Sequence, residues 1–421
     1  MRIFDQHLDP TMHTMNIDFA MARYAHEDAI LREILKTTLD TLSKFMHMNK
    51  IKGVLLTGSV ASGEGTVVDY NSCLIASDFD FLIYFDLIAF LKNRRYIENL
   101  SQEVSRKLVK NGFNTHVMFL PQFSLSNTMA YFSKSSIYEY EFALAAKNIF
   151  GKTPSFKKTA RPTKEDALEL AFTVVSDLVF LKFRKASKIE ESYILAKRAL
   201  TLLNSALIFY GVPVETYEKR IEVAKGCLSK GAFPLGQNDI RILDLFTEYK
   251  LSGSLQNLVV SLGFENVDDL VCYQIEFLRK LTTKILFYEL VNLASKSIDT
   301  NLLYTDSLEK LTKALPNLLK AYSINSRTRS PSRIIGVILY AFGLLSRDRQ
   351  RKELFATFLF HKQSPKIILN TILTLLFVLN NDSSGAKIVR EVFSWINFDD
   401  ASEIPTVFSL WQVSEKSIKL S

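Results

Sequence analysis

The chain has few cysteines and few glycines. Its three cysteines, Cys73, Cys227 and Cys272, lie far apart and form no CxxC pair. Neither a disulfide framework nor a zinc site is therefore indicated, and a reducing compartment is expected. Fifteen glycines in 421 residues argue against a large, loop-rich all-β architecture and favour helices. Long apolar runs are also missing. The two best candidates, residues 334–345 and 367–379, span 12 and 13 positions where a membrane crossing needs roughly 20, so both are expected to be buried helices. Residues 1–13 carry Asp5 and Asp9 and lack the apolar centre of a secretory signal, which leads us to expect a soluble, cytoplasmic protein with no transmembrane segment. No Walker loop, Rossmann fingerprint, HExxH or GxSxG occurs, so the enzyme classes built on those motifs have no support.

What is abundant is phenylalanine, at 31, within a hydrophobic share of 48% and a charged share of 23%. Those shares are ordinary for globular domains and leave no room for wholesale disorder. The length suggests two or three domains with thick cores. Lysine plus arginine exceed the acids by 52 to 44, a formal charge of +8. A polyanionic partner is favoured: nucleotide, nucleic acid or an anionic surface.

Along the chain the patterning changes once. In residues 17–46 the apolar positions Ile30, Leu31, Ile34, Leu35, Leu39, Leu42 and Phe45 recur at helical spacing. Short apolar runs at 51–57, 79–85 and 113–120 then read as strands, with a helix over 87–110 between the last two. A helix near 127–147 and a short strand at 148–150 close a small α/β unit. Beyond residue 162 only helices are expected: 163–185, opened by a Thr163/Asp166 capping box, then 189–210, stopped by Gly211 and Pro213, and further ones near 221–228, 239–249, 267–296 and 307–322. Residues 323–333, SINSRTRSPSR, read as a basic linker with Arg327, Arg329 and Arg333. The expected organisation is α+β: a mixed-sheet domain over 1–155, a helical domain over 156–322 and a C-terminal helical subdomain over 323–421.

The stretch that carries chemistry is residues 55–86, LLTGSVASGEGTVVDYNSCLIASDFDFLIYFD. Its first strand ends on Thr57-Gly58-Ser59. Glycine there permits close backbone approach, and the turn amides with the Ser59 hydroxyl suit phosphate oxygens. Its second strand begins at Asp78-Phe79-Asp80, where alternation puts both carboxylates on one face and Phe79 on the other. Paired carboxylates repel and need a cation or an open cleft. Mg²⁺, or Mn²⁺ in its place, is the fitting partner, because it binds one or two carboxylates together with substrate phosphates.

With Gly58, Ser59, Asp78 and Asp80 in this order, residues 17–151 resemble the nucleotidyltransferase superfamily of the DNA polymerase β-like fold. SVASGEG, with Gly63, Glu64 and Gly65, is similar to the extended Gly-Ser loop of several bacterial members whose substrate is unknown. The resemblance implies a metal-dependent transferase moving a nucleoside monophosphate from ATP or another NTP to a small molecule, a protein or an RNA end. Asp78 and Asp80 would hold the metal and Gly58-Ser59 the triphosphate. It also implies a helical second wall, for which Lys197 and Arg198 are the candidate phosphate-binding cations; the basic run Lys182, Arg184, Lys185 and Lys188 is equally consistent with a solvated helix end.

Two departures stand out. Eighteen residues separate Ser59 from Asp78, requiring an inserted hairpin or loop around 67–75. The family's third carboxylate has no counterpart in FNTHVMFL, where Asn114 and His116 share the face expected to look toward the pair. Either His116 takes that place, Glu139 or Glu141 reaches in, or catalysis is lost and the domain acts as a nucleotide-binding regulatory or interaction module.

Overall fold

The computed structural model describes residues 18–49, 51–70, 73–123, 136–151, 161–181, 186–231, 233–294 and 308–325, together with Leu373, Thr374 and Phe377. The expectations for 182–185, for the linker arginines and for the runs at 334–345 and 367–379 fall outside these residues, except at those last three positions.

The architecture is α+β, with two small mixed sheets followed by helices. The element order is α1 (Ala25–Asn49), β1 (Gly53–Thr57), α2 (Gly58–Ala61), β2 (Val67–Tyr70), β3 (Cys73–Ala76), β4 (Phe79–Phe85), α3 (Leu87–Lys110), β5 (Phe113–Asn114), β6 (Val117–Phe123), α4 (Ser136–Ala145) and β7 (Lys147–Gly151). Among the described residues only helices follow: α5 (Lys164–Leu181), α6 (Lys188–Phe209), α7 (Tyr217–Leu228), α8 (Gln237–Ser252), α9 (Leu255–Leu262), α10 (Val267–Ala294) and α11 (Leu308–Asn325). Among the described residues no helix is long and apolar enough to cross a membrane. The chain divides into two compact units. One comprises residues 1–130, 139–159 and 251–254, the other 131–138, 160–250 and 255–421.

In the first unit the larger sheet has strand order β6-β4-β1-β7. β1 runs antiparallel to both β4 and β7, while β4 and β6 are parallel. Every residue of β1 is buried, as is every residue of β4 except Asp80, as expected for strands covered on both faces. The apolar stripe of α1, Leu31, Ile34, Leu35, Leu39 and Leu42, is buried as its spacing requires. α3 starts on Asp86, whose carboxylate accepts the Ala89 amide at 2.7 Å. It also covers an edge strand, since Ser105 and Ser101 accept the Val117 and Phe119 amides.

The run 113–120 departs from the expected single strand. β5 joins β3 in a separate three-stranded sheet, order β2-β3-β5, and only from Val117 does the chain join β4. The break falls at Thr115, whose hydroxyl donates to the Ser77 carbonyl at 3.0 Å and pins the chain between the sheets.

In the second unit α6 is the central element, with an almost continuously buried second half from Ala199 to Phe209. α5 opens with the expected box: the Asp166 amide donates to Thr163 Oγ1 while the Asp166 carboxylate accepts the Thr163 amide at 2.8 Å. Gly211, at φ +92°, ends α6 with the Val212 amide returning to the Leu207 carbonyl. Phe377 reaches an apolar recess lined by Leu178, Leu195 and Leu278.

Candidate functional site

The antiparallel register of β1 and β4 pairs Thr57 with Asp80. The Thr57 hydroxyl donates to the Asp80 carbonyl at 3.1 Å, locking the two strand ends together. Gly58 follows at φ +76°, in the left-handed region that glycine alone enters freely. A β-carbon placed on Gly58 would lie 3.3 Å from Asp80 Oδ2, so the bare backbone of the turn sits directly against that carboxylate.

Phe79 is fully buried between two half-buried aspartates, Asp78 and Asp80. The alternation that puts one ring into the core thus keeps both carboxyl groups on the other face. Gly58 is exposed and Ser59 half-buried. The four residues Gly58, Ser59, Asp78 and Asp80 are therefore brought together at the shared end of β1 and β4.

The loop behind them is tightly held. The Ser59 carbonyl accepts from the Glu64 amide at 2.8 Å and from the Ser62 hydroxyl at 3.0 Å, and the Gly65 amide donates to the Met21 carbonyl at 2.7 Å. At Gly65 a β-carbon would meet Leu31 Cδ1 and the Met21 carbonyl at 2.5 Å each. Its glycine is demanded by packing on α1 and the segment preceding it. Met21 is held in turn: its amide donates to Asp28 Oδ1 at 2.6 Å, and Arg32 binds Asp28 Oδ2 at 2.6 Å. Burial pushes the Asp28 carboxyl up, but the Met21 amide and the Arg32 guanidinium outweigh it and hold the group below its ordinary range.

A second set of supports is invisible in the sequence pattern. Ser77, fully buried, accepts the Thr66 amide on its hydroxyl at 2.9 Å, returns its own amide to the Thr66 carbonyl at 2.9 Å, and accepts Thr115 on its carbonyl. These bonds fix the backbone immediately before Asp78. Ser77, Thr66, Thr115 and Thr57 are positioning residues that sequence reasoning missed; the only available signal was the clustering of Thr57, Thr66 and Ser77 as short hydroxyl residues within the motif, and Thr115 gave none.

The parallel register of β4 and β6 pairs Phe79 with Val117 and Asp80 with Met118. His116, exposed, stands one residue ahead of this register, and its carbonyl accepts the Phe79 amide at 2.9 Å. The neighbours on this side of the aspartates are thus His116, just before β6, and Met118 on it. Asn114 does not share that strand, because it belongs to β5 and pairs with Ile75. Glu141 on α4 is half-buried, and the side chain of Glu139 lies outside those described. Among the described residues no set of three or more His, Cys, Asp or Glu side chains is placed to hold a metal ion. The residues present still fit Mg²⁺ or Mn²⁺ in one way: two carboxylates on one face beside an unobstructed glycine leave the remaining coordination to phosphate oxygens and water.

Lys197 and Arg198 belong to α6 in the other unit. Arg198 is committed to Asp177 at 2.8 Å, and Lys188, the described member of the basic run, binds Glu191 at 2.8 Å.

Comparison with protein-family models, with curated proteins and with solved structures finds no match to this chain.

Proposed function

We propose that the first unit is a divalent-metal-dependent nucleotidyltransferase domain that takes a nucleoside monophosphate from an NTP, with ATP the leading candidate. The observation that carries this reading is the Gly58–Asp80 juxtaposition, which sets a phosphate-accommodating turn against a carboxylate pair at the end of adjoining strands. Mg²⁺ bound at the pair would neutralise charge developing on the leaving pyrophosphate.

The chain's own residues do the rest. Asp78, immediately before β4, and Asp80, its second residue, would hold the cation. The Ser59 hydroxyl and the turn amides hold phosphate oxygens, with Gly58 removing the side chain that would otherwise stand in their way. Phe79, Ser77 and Thr57 keep both carboxylates in place through the core and the backbone. The acceptor's hydroxyl would attack the α-phosphorus, its new P–O bond forming as the bond to pyrophosphate breaks and its proton passing to water.

A second reading is favoured by one specific observation: His116, just before β6, and Met118 on it, rather than a carboxylate, neighbour the pair. On that reading the domain binds nucleotide without turnover and acts as a regulatory or interaction module.

Incubating the protein with Mg²⁺, cell extract and each α-phosphate-labelled NTP separates the two. Transfer of label to a macromolecule or small molecule, lost in Asp78→Asn and Asp80→Asn, supports the transferase. Metal-dependent binding with no transferred label supports the second reading.

A further inference from the structure

Ser205, buried on α6, has its hydroxyl oxygen 2.7 Å from two oxygens at once: the Ala167 carbonyl on α5 and Glu289 Oε1 on α10. A serine hydroxyl carries one proton. The Ala167 carbonyl can only accept, so Ser205 must donate there, or two lone-pair-bearing oxygens would face each other at 2.7 Å. The proton in the Ser205–Glu289 contact must then come from Glu289. Glu289 is fully buried, and its Oε2 has no hydrogen-bond partner among the described residues. An ionised carboxylate with one oxygen orphaned in the core would be strongly disfavoured, whereas a neutral acid is tolerable.

We propose that Glu289 is a proton-dependent latch: as a neutral carboxylic acid it donates to Ser205, which donates to Ala167, tying α10 to α6 and α5, and loss of that proton frees α5 from the chain. Once Glu289 is ionised the single Ser205 proton can turn to the carboxylate only by leaving the Ala167 carbonyl, so the chain of donors is broken at α5. No charged side chain of the packing helices contributes to the shift at Glu289. On α5, Lys164 lies over the Phe209 ring and Asp166 caps the helix. On α6, residues 199–209 hold no titratable group, and Arg198 binds Asp177. On α10, Lys284 binds Asp239, and on α11 Lys310 is exposed while Leu311, Leu315, Leu318 and Leu319 are buried. α9 has no charged residue, and α4 contributes Ile137 to the same core cluster. Burial alone therefore pushes Glu289 up, to about 8, against a smaller downward pull from the Ser205 bond.

The sign follows from linkage. A carboxyl whose folded value is raised binds its proton more tightly folded than unfolded. Its favourable contribution is complete below the unfolded value and is lost as pH rises toward the folded one.

The test is a pH titration of the full chain carrying ¹³C-labelled glutamate, followed by NMR of the side-chain carboxyl carbons. One carboxyl is expected to titrate with a midpoint near 8, to be absent from Glu289→Gln and to shift further up in Ser205→Ala. The melting temperature of Glu289→Gln should gain on the parent between about pH 5 and 8 and run parallel above that. If Glu289→Gln does not fold, the Ser205→Ala shift alone decides. The proposal is overturned if no glutamate titrates above pH 6, if the high titration survives Glu289→Gln, or if Ser205→Ala leaves it unmoved.

Discussion

Gly58 and Asp80 constrain one another: the glycine sits at φ +76°, and any β-carbon on it would come within 3.3 Å of the aspartate's Oδ2. Gly58→Ala should therefore cost about 1 to 2 kcal/mol from the left-handed backbone alone and displace the carboxylate as well. A thermal melt measures the first effect, and loss of metal-dependent nucleotide binding by calorimetry the second. Unchanged binding would separate Gly58 from the site.

The support beneath Asp78 can be tested without touching either aspartate. Ser77→Ala deprives the buried Thr66 amide of its side-chain acceptor and is expected to destabilise the chain by about 1 to 3 kcal/mol. Because Ser77 also precedes Asp78 directly, nucleotide affinity should fall in the variant at temperatures where it remains folded. Thr115→Val, which removes only the donor to the Ser77 carbonyl, should show the same two effects more weakly.

Most regular elements were legible because their periods are strong. The β1 and β4 runs and the capped helices α3, α5 and α6 emerge near the expected bounds, and the α1 stripe is buried as its spacing requires, although α1 opens at Ala25 rather than at 17. What was not legible depended on pairing between distant residues. The run 113–120 reads as one strand by composition, yet Thr115 binds Ser77 across 38 positions and splits it between two sheets. α9 is only eight residues long, between Gly253 and Gly263, too short for periodicity to reveal. In the site, Gly58, Ser59, Asp78 and Asp80 could be named from spacing. That Met118 is the β6 neighbour of Asp80 is a matter of register, which alternation cannot supply when both faces are buried.

Acid should loosen the clasp behind the Gly-Ser loop. The folded Asp28 carboxyl lies below its ordinary range, so its contribution is present above the unfolded value near 3.9 and is lost as pH falls through the folded value. Asp28→Asn should be less stable than the parent at neutral pH, and the two melting curves should converge on acidification below about pH 4. A difference that persists at pH 2 would contradict this assignment.

The most direct test of the site is calorimetric titration of the parent protein with ATP and each other NTP, with and without Mg²⁺, repeated on Asp78→Asn and Asp80→Asn. The β1–β4 tie uses the Asp80 backbone carbonyl, so the fold should survive both substitutions, and circular dichroism checks this. We expect binding of at least one NTP that weakens about 10-fold or more on removing Mg²⁺ or either carboxylate. Equal affinity with and without the metal, or in the folded aspartate variants, would contradict the account.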